Sequence, residues 1–270
     1  MFPRRFSTPT RKPIPELTSA GSASRTAPIA STSVTQFAVL DALLGGVYSS
    51  GIAVPDVRLL GDTGIGCCEG LGGEVVVLDG QLFECTTDGP PRLMDDSEVL
   101  PFVDVCTLAD AATAEVEGLD LDGIGDAVDA RLASRNLFHV VRLDGVVSRV
   151  KTRVTRRQEA PFRPLAEVAA EQIETVTVDR AGSLVGFWMP RIYQGITVAG
   201  LHLHFLSDDR LVGGHVLEVQ LDSARLRVAA FARFTLQLPQ DAQFLGTELT
   251  HDDDHRIVAV EGGPLTSSTR

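Results

Sequence analysis

The sequence predicts an α+β fold of two similar halves, each a helix followed by a mostly antiparallel or mixed β-sheet. Three observations carry this. Helical spacing of apolar residues opens each half, first at Phe37, Leu40, Leu43, Leu44 and Val47, then at Leu165, Val168, Ala169 and Ile173. Short alternating apolar runs bounded by turn residues follow each helix, the pattern of half-buried strands. The dipeptide Asp-Gly, the favoured centre of a two-residue hairpin, sits between strand-like runs at 79–80 and again at 144–145.

The elements follow in order. Residues 1–34 hold five bases (Arg4, Arg5, Arg11, Lys12, Arg25), one acid (Glu16) and many Ser, Thr and Pro, a composition that buries too little apolar surface to order itself. They are expected to be a disordered tail. They lack the apolar stretch of a secretory signal, while their Arg- and Ser-rich, acid-poor character leaves an organelle transit leader open beside a plain flexible tail. The first helix ends at Gly45-Gly46. Residues 57–60, 74–78 and 81–85 read as strands, the last two joined through Asp79-Gly80. Leu121, Ile124 and Val128 mark another helix, and 136–143 and 146–154 read as two strands turning at Asp144-Gly145. Four arginines and two prolines in 153–164 form a natural boundary. Phe162-Arg-Pro-Leu165 opens the next helix, and strands are expected at 182–188, 201–206, 215–221 and 226–234.

This organisation divides the chain into a tail (1–34), an N-terminal α+β domain (35–157), a C-terminal α+β metal-binding domain (158–262) and a flexible C-terminus (263–270). Leu71-Gly-Gly-Glu-Val75 and Val212-Gly-Gly-His-Val216 match locally, so a duplication would put Glu74 at the place equivalent to His215.

Composition narrows the function classes. At 270 residues and 44% hydrophobic side chains the chain can bury a large core, and no apolar run approaches the roughly 20 residues of a membrane span. A net charge of −12 disfavours a nucleic-acid surface, leaving a small molecule as the expected partner. The four cysteines, Cys67, Cys68, Cys85 and Cys106, form no Cys-x-x-Cys pair and fit a reducing, cytoplasmic location.

The chemistry concentrates between Gly200 and Val216. His202 and His204 lie two apart in an alternating run and leave the same face of a strand. After the turn residues Ser-Asp-Asp-Arg and Gly-Gly, His215 opens a second strand-like run, so a hairpin brings three imidazoles together. Three histidines with a fourth position open is the arrangement of catalytic zinc. Single histidines in strands are ordinarily packed or solvated side chains, and His139, His251 and His255 are read that way. Asp208-Asp209 are read as shaping the turn, and the acidic run 251–255 as a solvated loop. Gly64-x-Gly66 lacks the context of a dinucleotide fingerprint and is read as permitting close backbone approach to the site. Another three-histidine metal lyase, a cupin-like enzyme, or a non-catalytic metal-stabilised binding module fits these residues as well.

Five segments in order carry a family likeness: Gly61-Asp-Thr-Gly-Ile-Gly-Cys-Cys-Glu-Gly-Leu-Gly-Gly-Glu-Val75, Val150-Lys-Thr-Arg153, Phe162-Arg-Pro-Leu165, Gly200-Leu-His-Leu-His-Phe-Leu-Ser-Asp-Asp-Arg210 and Gly213-Gly-His-Val216. Together they resemble alpha-acetolactate decarboxylase over about 36–262. The chain departs from the family at Cys67-Cys68, where a threonine and an aromatic are usual. The resemblance implies a carboxy-lyase that converts (S)-2-acetolactate to (R)-acetoin and carbon dioxide, in a two-sheet α+β fold and commonly as a homodimer. It implies zinc on His202, His204 and His215, with Glu74, Arg153 and Glu261 as catalytic residues. Arg153 would anchor the substrate carboxylate or steer the proton donor; Glu74 and Glu261 would manage protons.

Overall fold

The computed structural model describes residues 26–249. Its N-terminal strands are β1 (Ile29–Ala30), β2 (Val34–Phe37), β3 (Ile52–Ala53), β4 (Thr63–Cys67), β5 (Glu74–Leu78), β6 (Gln81–Cys85), β7 (Arg92–Leu93), β8 (Val99–Leu100) and β9 (Phe102–Cys106). Then come β10 (Ala112–Glu117), β11 (Phe138–Val154), β12 (Ile173–Met189), β13 (Gly200–Ser207), β14 (Gly213–Phe231) and β15 (Phe234–Gln237). The helices are short: α1 (Leu40–Leu44), α2 (Val54–Leu60), α3 (Leu121–Asp129), α4 (Leu165–Ala169) and α5 (Ala242–Gly246).

Two large sheets form. The first runs β15-β2-β9-β4-β5-β6-β7, and the second joins β14, β11, β12 and β13 into a ring because β13 pairs back onto β14 at His204 and His215. β1 and β10 add to β14. The sheets pack face to face through Ile65, Val76 and Phe83 of one against Val140, Val185 and Phe231 of the other. Ile124 and Val128 of α3 complete the apolar interior of the ring, while Val54 and Val57 of α2 cover the other face of the first sheet. The architecture is therefore sheet-rich and mixed, with few helices.

The hairpin at Asp79-Gly80 forms as expected, with φ of 52° and 78° at its two residues, the left-handed conformation a primed turn requires. The second Asp-Gly does not turn. β11 runs straight through it, because a Cβ on residue 145 would stand 2.1 Å from the Ser223 carbonyl oxygen, so glycine is there to let β14 approach. Asp144 instead takes ion pairs from Arg142 and Arg227 and a hydrogen bond from Ser183. The expected strands 215–221 and 226–234 merge in the same way into β14.

Three further expectations change. Residues 57–60 lie in α2, not in a strand: Pro55 is pre-organised for the first helical turn, and Val54 and Val57 bury at helical spacing. Order begins before residue 35, since Ala27 donates to the Arg131 carbonyl and β1 extends the sheet edge at β14. The chain changes sheets between Cys106 and Ala112, earlier than residue 157, because β10 and β11 pair with β14. Residues 1–25 of the expected tail and everything from 250 onward lie outside the described residues.

Asp104 is buried on β9 between Gln36 and Ile65. Burial pushes its carboxyl up to about 8, an effect that the nearby Thr197 side chain only partly offsets. An unfolded aspartate ionises near pH ~3.9, so the folded state holds a proton that the unfolded state releases, and stability is lost as pH rises from there towards 8. Asp104→Asn removes that loss. The melting-temperature difference between variant and parent is expected to grow from pH 5 to pH 8; a difference independent of pH would disprove the assignment.

Candidate metal centre and active site

The ring closure creates the site. Arg153 of β11 is the register partner of His215 on β14, and His215 is the partner of His204 on β13. A guanidinium and two imidazoles thus stand in one row across three strands, and His202, two residues before His204, joins on the same face. A register shift between Lys151 and Thr152 lies next to this row, a bulge of the kind that re-aims side chains beside functional sites. Glu74 reaches the row from the other sheet, its Oε2 lying 3.6 Å from His204 Nε2 and its Oε1 3.6 Å from an Arg153 guanidinium nitrogen.

One ligand atom from each of the three histidines lies within 4.8 Å of the other two, so the group can hold a metal ion. His202 Nε2 and His215 Nδ1 face each other at 2.9 Å. His204 Nδ1 lies 2.9 Å from the Val75 carbonyl oxygen, which makes it the N–H donor and leaves the Nε2 lone pair for the centre, the outer-shell bond typical of ligating histidines. Burial, and after it the charge of Arg153, pulls the His202 imidazole down to about 3 and holds His215 well below the ordinary range. Both are neutral at physiological pH, as metal ligation requires. Three nitrogen donors suit zinc, and the donor set fits it.

The row lines a small, partly open chamber. Leu40, Leu43, Phe102, Leu165 and Val198 form an apolar wall opposite the histidines. Cys67 also lines it and is the register partner of Glu74, so the thiol that replaces the usual residue sits beside the carboxylate. All four cysteines are buried.

The remaining expectations divide. His139 is structural: its Nε2 accepts from the Ala133 amide at 3.1 Å, and burial lowers its pKa to about 4. Asp209 shapes the ligand hairpin, accepting from the Ser207 hydroxyl at 2.7 Å and the Leu211 amide at 3.1 Å. Gly64 and Gly66 permit close approach, but to β9: a Cβ on either would meet the Asp104 or Phe102 carbonyl oxygen at 2.3 and 2.4 Å. Glu261, His251 and His255 lie outside the described residues. The apolar wall escaped sequence reasoning, because apolar residues at helical spacing look the same whether they face a core or a chamber.

The family model for alpha-acetolactate decarboxylase matches residues 34–251. The chain belongs to that family. It is 35% identical over 227 residues to an alpha-acetolactate decarboxylase of Methanosarcina mazei, covering 84% of this chain and 79% of that protein. It is 31% identical to the Bacillus licheniformis enzyme of that name, covering 86% and 92%. The crystal structure of the Bacillus subtilis alpha-acetolactate decarboxylase superimposes with a TM-score of 0.84 at 29% identity, covering 86% of this chain and all of that one (100%). Members of the family are carboxy-lyases, and no described helix of this chain is long and apolar enough to cross a membrane.

Proposed function

We propose that the protein decarboxylates (S)-2-acetolactate to (R)-acetoin and carbon dioxide, using a zinc ion held by His202, His204 and His215. The observation that carries this reading is the convergence of these imidazoles with a carboxylate and a guanidinium at an apolar chamber, in a chain of this family.

Acetolactate is a β-keto acid, and losing carbon dioxide leaves an electron pair that must move onto the ketone oxygen. Zinc supplies Lewis acidity towards the ketone and hydroxyl oxygens, worth several kcal/mol in the transition state. The protein's own groups do the rest. Val75 fixes the His204 ring so that Nε2 stays aimed at the centre. Arg153, permanently charged and planar, receives the substrate carboxylate, and its burial makes that charge felt strongly. The apolar wall takes the methyl groups and keeps water from the developing charge. The carbon that loses carbon dioxide gains a proton, one per turnover, and a Glu74 carboxyl oxygen delivers it.

The test is acetoin production by purified protein, alone, after chelation, and after reloading with zinc. Activity that disappears on chelation and returns with zinc is expected. A zinc-loaded protein that makes no acetoin would refute the reading in favour of another lyase or a binding module.

Glu261 is proposed as a second carboxylate of the site. Ending the chain after Gly262 is expected to leave activity nearly intact, and ending it after Ile257 to reduce activity about a hundredfold or more at unchanged zinc content, the usual range for losing a proton-handling group. Equal activity in the two truncations would remove Glu261 from the site.

A further inference from the structure

Cys67 stands where the polar and apolar sides of the chamber meet. On β4 it is the register partner of Glu74 on one side and of Phe102 on the other, so the three side chains leave one face of the first sheet in a row. It packs in one apolar cluster with Leu40, Leu43, Phe102, Leu165 and Val198, which form the wall. Cys68 points the other way. It packs with Val54 and Val57 of α2 on the far face of the sheet, so only the first cysteine of the pair meets the chamber. Cys85, the partner of Glu74 on β6, lies under the ligand hairpin instead, where a Cβ on residue 213 would meet its Sγ at 2.4 Å.

Charge and polarity assign three of the four groups on the reacting carbon of acetolactate. The carboxylate goes to Arg153, and the hydroxyl and the acetyl oxygen go to the histidine centre. The fourth group is the methyl. Because the same carbon takes its proton from Glu74, the methyl lies beside that carboxyl, and the apolar neighbour of Glu74 in the chamber is Cys67. A thiol behaves as a small apolar side chain and puts one heavy atom on Cβ. Threonine, usual at this place in the family, branches there and carries a hydroxyl that costs free energy when an alkyl group strips its water. With cysteine the second branch is empty and the surface facing the substrate is apolar.

We propose that Cys67 sets the length of the alkyl group accepted on the reacting carbon, and that its thiol leaves room there for ethyl as well as methyl. The inference rests on the reading of function above and names the residue that chooses among its substrates.

The test gives the zinc-loaded full chain 2-acetolactate and its homologue with ethyl in place of that methyl, and measures kcat/KM for each from carbon dioxide release. The parent protein is expected to turn over both. Cys67→Val, which adds about one methylene of bulk, should cut the ethyl-to-methyl ratio of kcat/KM about tenfold or more, the lower end of what one methylene is worth in an apolar pocket. Cys67→Ala should raise the ratio above the parent value. Cys68→Ala, on the far face, should leave it unchanged. Each ratio comes from a single protein sample, so a partly folded or partly loaded variant lowers both values alike and leaves the ratio where it was. A ratio that stays fixed in both Cys67 variants, moves the same way in both, or moves as far in Cys68→Ala would overturn the proposal. So would a parent protein that turns over the methyl compound and rejects the ethyl one. A parent protein inert towards both would refute the reading of function itself, and the assignment of Cys67 would fall with it.

Discussion

His204→Ala is expected to abolish acetoin formation and zinc retention together. His204 is the histidine whose orientation is locked, Nδ1 against the Val75 carbonyl and Nε2 towards Glu74 and the centre. Removing it leaves two donors, His202 and His215, too few for a retained catalytic zinc. Losing about 4 kcal/mol of Lewis-acid stabilisation corresponds to about a thousandfold in rate. Because the residue is buried, alanine also leaves a cavity, so His204→Gln, closer in volume, should accompany it. Metal content by atomic emission and single-turnover acetoin yield are the readouts. A folded variant that has lost its metal yet keeps full activity would refute the Lewis-acid role.

How much of this was legible beforehand follows from which physics acts locally. Strand alternation puts His202 and His204 on one face from their spacing alone, and a turn rich in Asp and Gly returns His215 to them. Arg153 and Glu74 are different. Arg153 joins the row only through the register of β11 on β14, and Glu74 arrives from the other sheet, so no spacing rule reaches either; family likeness pointed to them. The two Asp-Gly dipeptides make the same point within the fold. Asp79-Gly80 turns because nothing crowds it, with no atom within 4 Å of a Cβ built at residue 80, whereas Gly145 lies flat against Ser223 and Ala224 in the middle of a sheet. Residues 57–60 read as a strand because a four-residue run is too short to show its period, and the helix that forms there begins with Pro55 in its first turn. The two-halves expectation failed to place β11, because a strand's sheet is chosen by its long-range partners.

Glu74→Gln is expected to lower kcat by about two to four orders of magnitude while zinc content stays the same. Glutamine keeps the shape of the side chain and can still lie between His204 and Arg153, but it has no acidic proton to give to the carbon that loses carbon dioxide. On the proposed mechanism substrate capture rests on Arg153, the histidine-held metal and the apolar wall, so it should survive and KM should move far less than kcat. That split separates a proton donor from a residue that merely holds Arg153 in place: loss of a positioning contact would raise KM as the carboxylate anchor loosened. Products can be examined as well as rates. If proton delivery passes to water in the variant, the acetoin it makes should lose part of its (R) excess, because water can approach the reacting carbon from either face. Wild-type kcat with unchanged stereochemistry would show that the proton comes from elsewhere in the site, and Glu261 would then be the next group to replace.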